Sequence, residues 1–204
     1  MKVDRPVSPR ERILAAADRL FYEQGIRAVG VDTVAAEAGV SKRTLYHHYP
    51  SKDELIAAYL TLRFKQVPPS DAPAREQILG YFDRLERAFA DGAFRGCPFV
   101  NAVTEIGDPK HPAAGIAQRF KDERRQWYAG LLERLGVADP EGLAVQFQML
   151  ADGAIAAVLV RNDPSVARAA RAAAEVLLDA AVRKKGAIPS SSRRKARAKS
   201  ARGE

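Results

Sequence analysis

One cysteine and three histidines are all that 204 residues contain of those two types. That scarcity excludes a disulfide framework and any zinc or iron–sulfur centre built on cysteine. No apolar run comes near the roughly 18 residues of a membrane span, and the opening MKVDRPVSPRER lacks the apolar stretch of a secretory signal. No membrane partner is therefore expected, and a cytoplasmic location is. A phosphate-cradling glycine loop and a convincing nucleophile–base constellation are both missing, so neither an enzyme nor a cofactor is expected. The body of the chain also lacks an excess of charge. The formal +8 comes from 33 Lys and Arg against 25 Asp and Glu, yet residues 183–204 alone hold nine cations and one acid. Residues 1–182 are neutral, so a case for nucleic-acid binding by the folded part must rest on local chemistry.

Proline is absent from long stretches. Pro9 is followed by none until Pro50, and wide gaps separate Pro73 from Pro98, Pro112 from Pro140, Pro140 from Pro164 and Pro164 from Pro189. Proline suits a helix start and breaks a helix interior, so each gap reads as a helix of several turns. Apolar residues at helical spacing agree: Ile13, Leu14, Ala17, Leu20 and Phe21; Leu143, Phe147, Leu150, Ala154 and Val158; Val166, Ala170, Ala173 and Leu177. Sustained alternation between hairpin turns is not seen, so no strand is expected. The reading predicts an all-α chain with helices near 9–24, 32–38, 42–48, 52–66, 74–91, 98–106, 112–135, 140–161 and 164–185. A helix-turn-helix unit over 1–50 and a helical ligand-binding and dimerisation domain over 51–185 are expected, followed by a disordered basic tail at 186–204.

The N-terminal unit carries most of the information. Ser8, Pro9 and Glu11 form a capping box that opens the first helix. The segment VDTVAAEA-GVS-KRTLYHHY then reads as two short helices around a glycine-containing turn, which is a helix-turn-helix. Gly39 ends the first, Ser41 caps the second, and Val40 and Leu45 stand at the spacing of a hydrophobic staple. Lys42 and Arg43 break a local rule, because the positive end of a helix favours acids by roughly 0.3–1 kcal/mol each. Two cations there are poor for folding and suited to receiving phosphate. Leu45 and Tyr49 are expected to face inward on Val34 and Ala35. That leaves Thr44, Tyr46, His47 and His48 outward, where hydroxyls and imidazoles reach base edges or phosphates. His47 and His48 diverge by about 100° on a helix, so no metal site is expected. Ser51 and Glu54 form a second capping box, placing Lys52 to meet a phosphate or simply to stay solvated.

Over residues 10–60, RERILAAADRLFYEQGIRAVGVDTVAAEAGVSKRTLYHHYPSKDELIAAYL, the chain resembles the TetR family of transcriptional repressors. The resemblance implies DNA contacts at Lys42, Arg43, Thr44, Tyr46, His47, His48 and Lys52. Gly30 stands where the family pattern often has a capping Ser or Thr, with Thr33 the substitute. A later stretch, FRGCPFVNAVTEIGDPKHP, is similar to a TetR subgroup with a Gly-Cys…Asn…Glu pattern. The family resemblance further implies a dimer interface from the last two helices and an effector cavity among the middle ones.

One helix-turn-helix touches only a few base pairs, so a homodimer reading a palindromic operator of double-stranded DNA is expected. The alanine-rich last helix is apolar on more than one face and fits a partner surface as well as a core. Candidates to line a site for an unidentified small-molecule effector are Phe94, Cys97, Phe99, Asn101, Glu105, Phe120, Trp127 and Phe147. Aromatics at this spacing serve a core equally well. Asn101 and Glu105, four apart, either meet a ligand or brace neighbouring helices. Cys97 before Pro98 is either a reactive thiolate at a helix start or a small buried hydrophobe. The function expected is that of a ligand-responsive regulator, most simply a repressor. The competing reading is a nonspecific basic DNA-binding protein whose affinity comes from the tail.

Overall fold

The computed structural model describes residues 7–186. Among them the chain forms nine α-helices and no strand: α1 Pro9–Gln24, α2 Val31–Glu37, α3 Lys42–His48, α4 Lys52–Arg63, α5 Ala74–Phe89, α6 Pro98–Ile106, α7 Pro112–Arg134, α8 Pro140–Arg161 and α9 Val166–Gly186. The basic tail expected from residue 186 lies outside the described residues, apart from Gly186, which closes α9.

Local chemistry explains where most helices begin. At α1 the Ser8 hydroxyl accepts from the Glu11 amide while the Glu11 carboxylate accepts from the Ser8 amide at 2.8 Å. Ser51 caps α4 by accepting from the Glu54 amide at 3.1 Å. Pro98, Pro112 and Pro140 each occupy a first helical position. Gly39, at φ +63°, provides the left-handed turn between α2 and α3. Three expected boundaries move by two residues or more, α5 ending at Phe89 in place of 91. α4 stops at Arg63, three residues early, because the chain turns at Phe64 to set its ring edge-on to Phe99 and Phe120, 5.9 and 5.4 Å between centroids. α9 starts two residues late, because Asp163 accepts from both the amide and the hydroxyl of Ser165.

The helices share two cores. In the first, α1–α4 pack with Cys97, Phe99 and Ala102 of the α6 region and with Ala113, Ile116 and Ala117 at the start of α7. The second joins α5, the C-terminal half of α7, α8 and α9 around Phe82, Tyr128, Leu132, Phe147 and Leu178. α7, the longest element, thus runs through both, and Ile155 of α8 touches each.

The expectation that no apolar stretch approaches a membrane span needs correction. By length and composition α8 is long and apolar enough to cross one. Its mid-helix carboxylate, Asp152, is ion-paired to Lys121 of α7, and α8 packs against α7 and α9. Much of its apolar content belongs to the second core, through Leu143, Phe147 and Val158.

Candidate nucleic-acid interface

α3 is fixed from behind. Leu45 is wholly buried, and Tyr49, just past the helix, is nearly so, donating from its hydroxyl to the Arg10 carbonyl at 3.4 Å. Val34 and Ala35 of α2 complete the contact, so the inward set is the one the spacing predicts. Burial raises the Tyr49 phenol's pKa, with the Arg10 cation opposing. At the helix start the Ser41 hydroxyl accepts from the Thr44 amide at 3.0 Å and lies 2.8 Å from the Thr44 hydroxyl.

The outward set is less uniform. Arg43, Tyr46 and His47 are exposed, and Thr44 and His48 are half-buried. The His47 and His48 rings meet edge-to-face with centroids 5.2 Å apart. Thr33 is exposed on α2, whose N-cap Gly30 offers no side-chain oxygen. Lys42 is paired within the protein: its ammonium lies 2.9 Å from the Asp32 carboxylate, the two side chains being 54% and 71% exposed. The Asp32 hydrogen bond raises the Lys42 pKa, keeping it charged. Lys52 is also engaged. Its Nζ donates to the Ile26 carbonyl at 2.6 Å, tying the start of α4 to the α1–α2 connection, and leaves two N–H groups for anything else. Among the described residues, no three His, Cys, Asp or Glu side chains are grouped to hold a metal ion.

The eight candidate effector residues do not converge on one site. Phe94, Cys97 and Phe120 line a cavity of about 150 Å³ between α5, the loop before α6, α7 and α8. Phe99 stacks on Phe120, centroids 3.9 Å apart, from the side of the first core. Trp127 lines a groove of about 500 Å³ with Phe64 and Val67, on the other side of the Phe120 wall that it shares with the cavity. Phe147 is enclosed in the second core against Tyr128. Asn101 and Glu105 share a face, as four-residue spacing requires, but that face braces the protein. Asn101 Nδ2 donates to the Arg95 carbonyl at 2.8 Å. The Glu105 carboxylate accepts from the Arg27 amide at 3.0 Å. These contacts are those of the bracing alternative. Cys97 is buried and supplies no side-chain cap to α6.

Several important residues were not among the candidate site residues. The Tyr22 hydroxyl of α1 accepts from the Arg95 amide at 2.9 Å and donates to the Gly96 carbonyl at 3.1 Å, so the cavity's loop wall hangs on the N-terminal unit. Gly96 has φ +91°, and a Cβ there would meet Leu159 at 3.0 Å. Arg63 of α4 holds Asp18 with two nitrogens and lies 4.0 Å over the Tyr22 ring. His111 caps α7 through Nδ1 and points Nε2 at Asp53 of α4, 3.3 Å away.

Comparison with known proteins places this arrangement. Residues 13–59 match the model for bacterial regulatory proteins of the tetR family. A crystal structure of a TetR-type transcriptional regulator from Streptomyces avermitilis is 38% identical, with a TM-score of 0.78 over 85% of this chain and 98% of that one. The HTH-type transcriptional regulator YjdC of Escherichia coli is 27% identical over 188 residues, covering 88% of this chain and 98% of its own. The HTH-type transcriptional repressor KstR2 of Mycolicibacterium smegmatis is 26% identical over 143 residues, 66% of this chain and 68% of its own.

Proposed function

The chain belongs to the TetR family of bacterial DNA-binding transcriptional regulators, which are not enzymes, and from that membership we propose a homodimeric repressor that leaves a palindromic operator when a small molecule occupies its helical body. One observation carries the reading: α3 is locked into the core by Leu45 and Tyr49 while Arg43, Tyr46 and His47 stand in solvent. In this reading Lys42, Arg43 and Lys52 meet phosphates, with Thr33 at the start of α2, and Thr44, Tyr46, His47 and His48 read base edges or add phosphate contacts. Residues 1–50 are the reading unit, and residues 51–185 sense and dimerise. The resemblance to a named repressor supports repression, and contact with chromosomal DNA implies work in the cytoplasm.

The dimer reading has its own support. α8 exposes Val145, Met149 and Val160, the last two 67% and 88% accessible, and α9 exposes Val176 at 65%. Spaced near multiples of a helical turn beside exposed Ala156, Ala169, Ala172 and Ala180, they form an apolar face that a second copy would cover.

Selection of bound fragments from random DNA by the purified full-length protein tests the proposal. A palindromic consensus with half-sites about one helical turn apart is expected. Recovery of all sequences alike would instead favour nonspecific binding driven by the tail.

A further inference from the structure

Arg124 of α7 is a guanidinium without an anion. Its Nε is enclosed and has no hydrogen-bond acceptor, and among the described residues no carboxylate lies within ion-pair distance. Rings surround it instead: Tyr81 at 4.9 Å, Phe120 at 5.4 Å and Trp127 at 6.0 Å from ring centroid to guanidinium carbon. The carboxylate on the same cavity wall, Asp152, is held by Lys121. A second cation, Arg84 of α5, lies 5.5 Å over Tyr81, and burial together with the charge of Arg124 disfavours its protonated form. The Tyr128 hydroxyl, behind Tyr81, is also buried without a partner. Arg124 is half-buried, and cation–π contacts offset part of the cost of enclosing its Nε but leave that N–H unspent.

Space adjoins this unsatisfied charge. Arg124 and Phe120 line both the cavity of about 150 Å³ and the groove of about 500 Å³. The smaller cavity has about the volume of a benzene-sized ring, with Lys121, Arg124, Gln148 and Asp152 making part of its wall polar. A planar fork of donors among aromatic faces suits a carboxylate, which accepts two parallel N–H bonds and replaces the missing counter-charge.

We propose that this site binds a compact organic carboxylate, its apolar body against Tyr81 and Phe120 and its charge on Arg124. The proposal rests on the ligand-responsive reading above for its regulatory meaning, and the binding itself can be tested without DNA. Trp127 is the single tryptophan of the chain, so its fluorescence reports occupancy. The full-length protein is titrated with benzoate, 1-naphthoate and 4-phenylbutanoate, and with their uncharged primary amides. At least one carboxylate should bind saturably, on the order of 10–100-fold more tightly than its amide. Arg124→Gln should erase that preference and Arg124→Lys should keep part of it, with circular dichroism showing each variant folded. Equal binding of every acid and amide by the parent protein, or no saturable binding by any of the six, overturns the proposal whatever the variants do. If acids bind in preference to their amides and every one of them, including those that press on the loop at 94–97, leaves operator affinity unchanged, the carboxylate site stands and the ligand-responsive reading falls.

Discussion

Asp32→Asn should strengthen DNA binding while weakening the fold, because the two consequences of that carboxylate oppose each other. Asp32 sits in the first turn of α2, where no side chain caps the helix, and its oxygen lies 2.9 Å from Lys42 Nζ. Removing the charge forfeits a favourable helix-end interaction of roughly 0.3–1 kcal/mol together with a solvent-screened ion pair that adds little. The total, about 1 kcal/mol, is small beside the roughly 5–15 kcal/mol that holds a typical domain together. On DNA the sign reverses. A lysine released to meet a phosphate steepens the dependence of log affinity on log salt by about 0.9 per contact, hence about 1.8 for two protomers. A roughly fourfold fall in salt should therefore strengthen the variant about tenfold more than the parent. Fluorescence anisotropy on a selected operator fragment across a salt series measures both slopes. The control is Lys42→Met, on which Asp32→Asn should have no further effect on slope. Equal slopes for parent and Asp32→Asn would refute the assignment of Lys42 to phosphate.

Gly39→Ala forces an alanine to φ +63° and should destabilise the protein by about 1–2 kcal/mol, read from denaturant midpoints; no loss would mean that the turn relaxes. Gly30→Ser should do the opposite. Gly30 is in extended backbone with open space where a Cβ would go, so a serine cap there should add a few tenths of a kcal/mol to thermal stability. Stability should fall in alkali. Burial raises the phenol pKa of Tyr59 and Tyr128, so their contribution is intact below the unfolded value near 10 and is lost as pH rises, by up to about 1.4 kcal/mol per unit for each. Urea melts at successive pH values give that slope, and Tyr59→Phe should reduce it; an unchanged slope contradicts the assignment. Tyr22→Phe removes two hydrogen bonds to the loop before α6 and should cost about 1–2 kcal/mol by the same assay.

What the sequence disclosed and what it withheld differ in kind. The spacing of Leu45 and Tyr49 sorts the faces of α3 because a seven-residue helix with one apolar edge has one way to lie on a core. The prolines and Ser8, Ser41 and Ser51 act within a turn of themselves, so they place helix starts from local chemistry. Asn101 and Glu105 show where that logic stops. Their spacing assigns a shared face and says nothing of what the face meets, and Glu105 meets a backbone amide 78 positions away. Arg124 is hidden for a related reason: within KDERRQ it reads as one more solvated charge, and only tertiary packing brings Tyr81 over it. The pairing of Lys42 with Asp32 was equally silent, since the two lie on different helices joined by a turn.

The placement of α6 bears on how an effector could act. Cys97, Phe99 and Ala102 belong to the same core as Leu45 of α3, although α6 follows in sequence the helix that opens the second core. Tyr22 adds two hydrogen bonds across the same junction to the loop before α6, and Glu105 adds one from the last turn of α6. The loop at 94–97 is therefore at once a wall of the carboxylate cavity and a load on α1. A guest that changes the loop's position works against well-packed contacts, and packed interfaces shift between discrete arrangements in preference to stretching. Its leverage on DNA affinity is limited to the difference in its binding free energy between the two arrangements, so weak effectors can bind the cavity and leave the operator occupied. Ligand affinity and derepression need not rank a series of carboxylates in the same order, and the compounds that engage Arg124 while pressing on Phe94 and Gly96 are the ones that should release DNA.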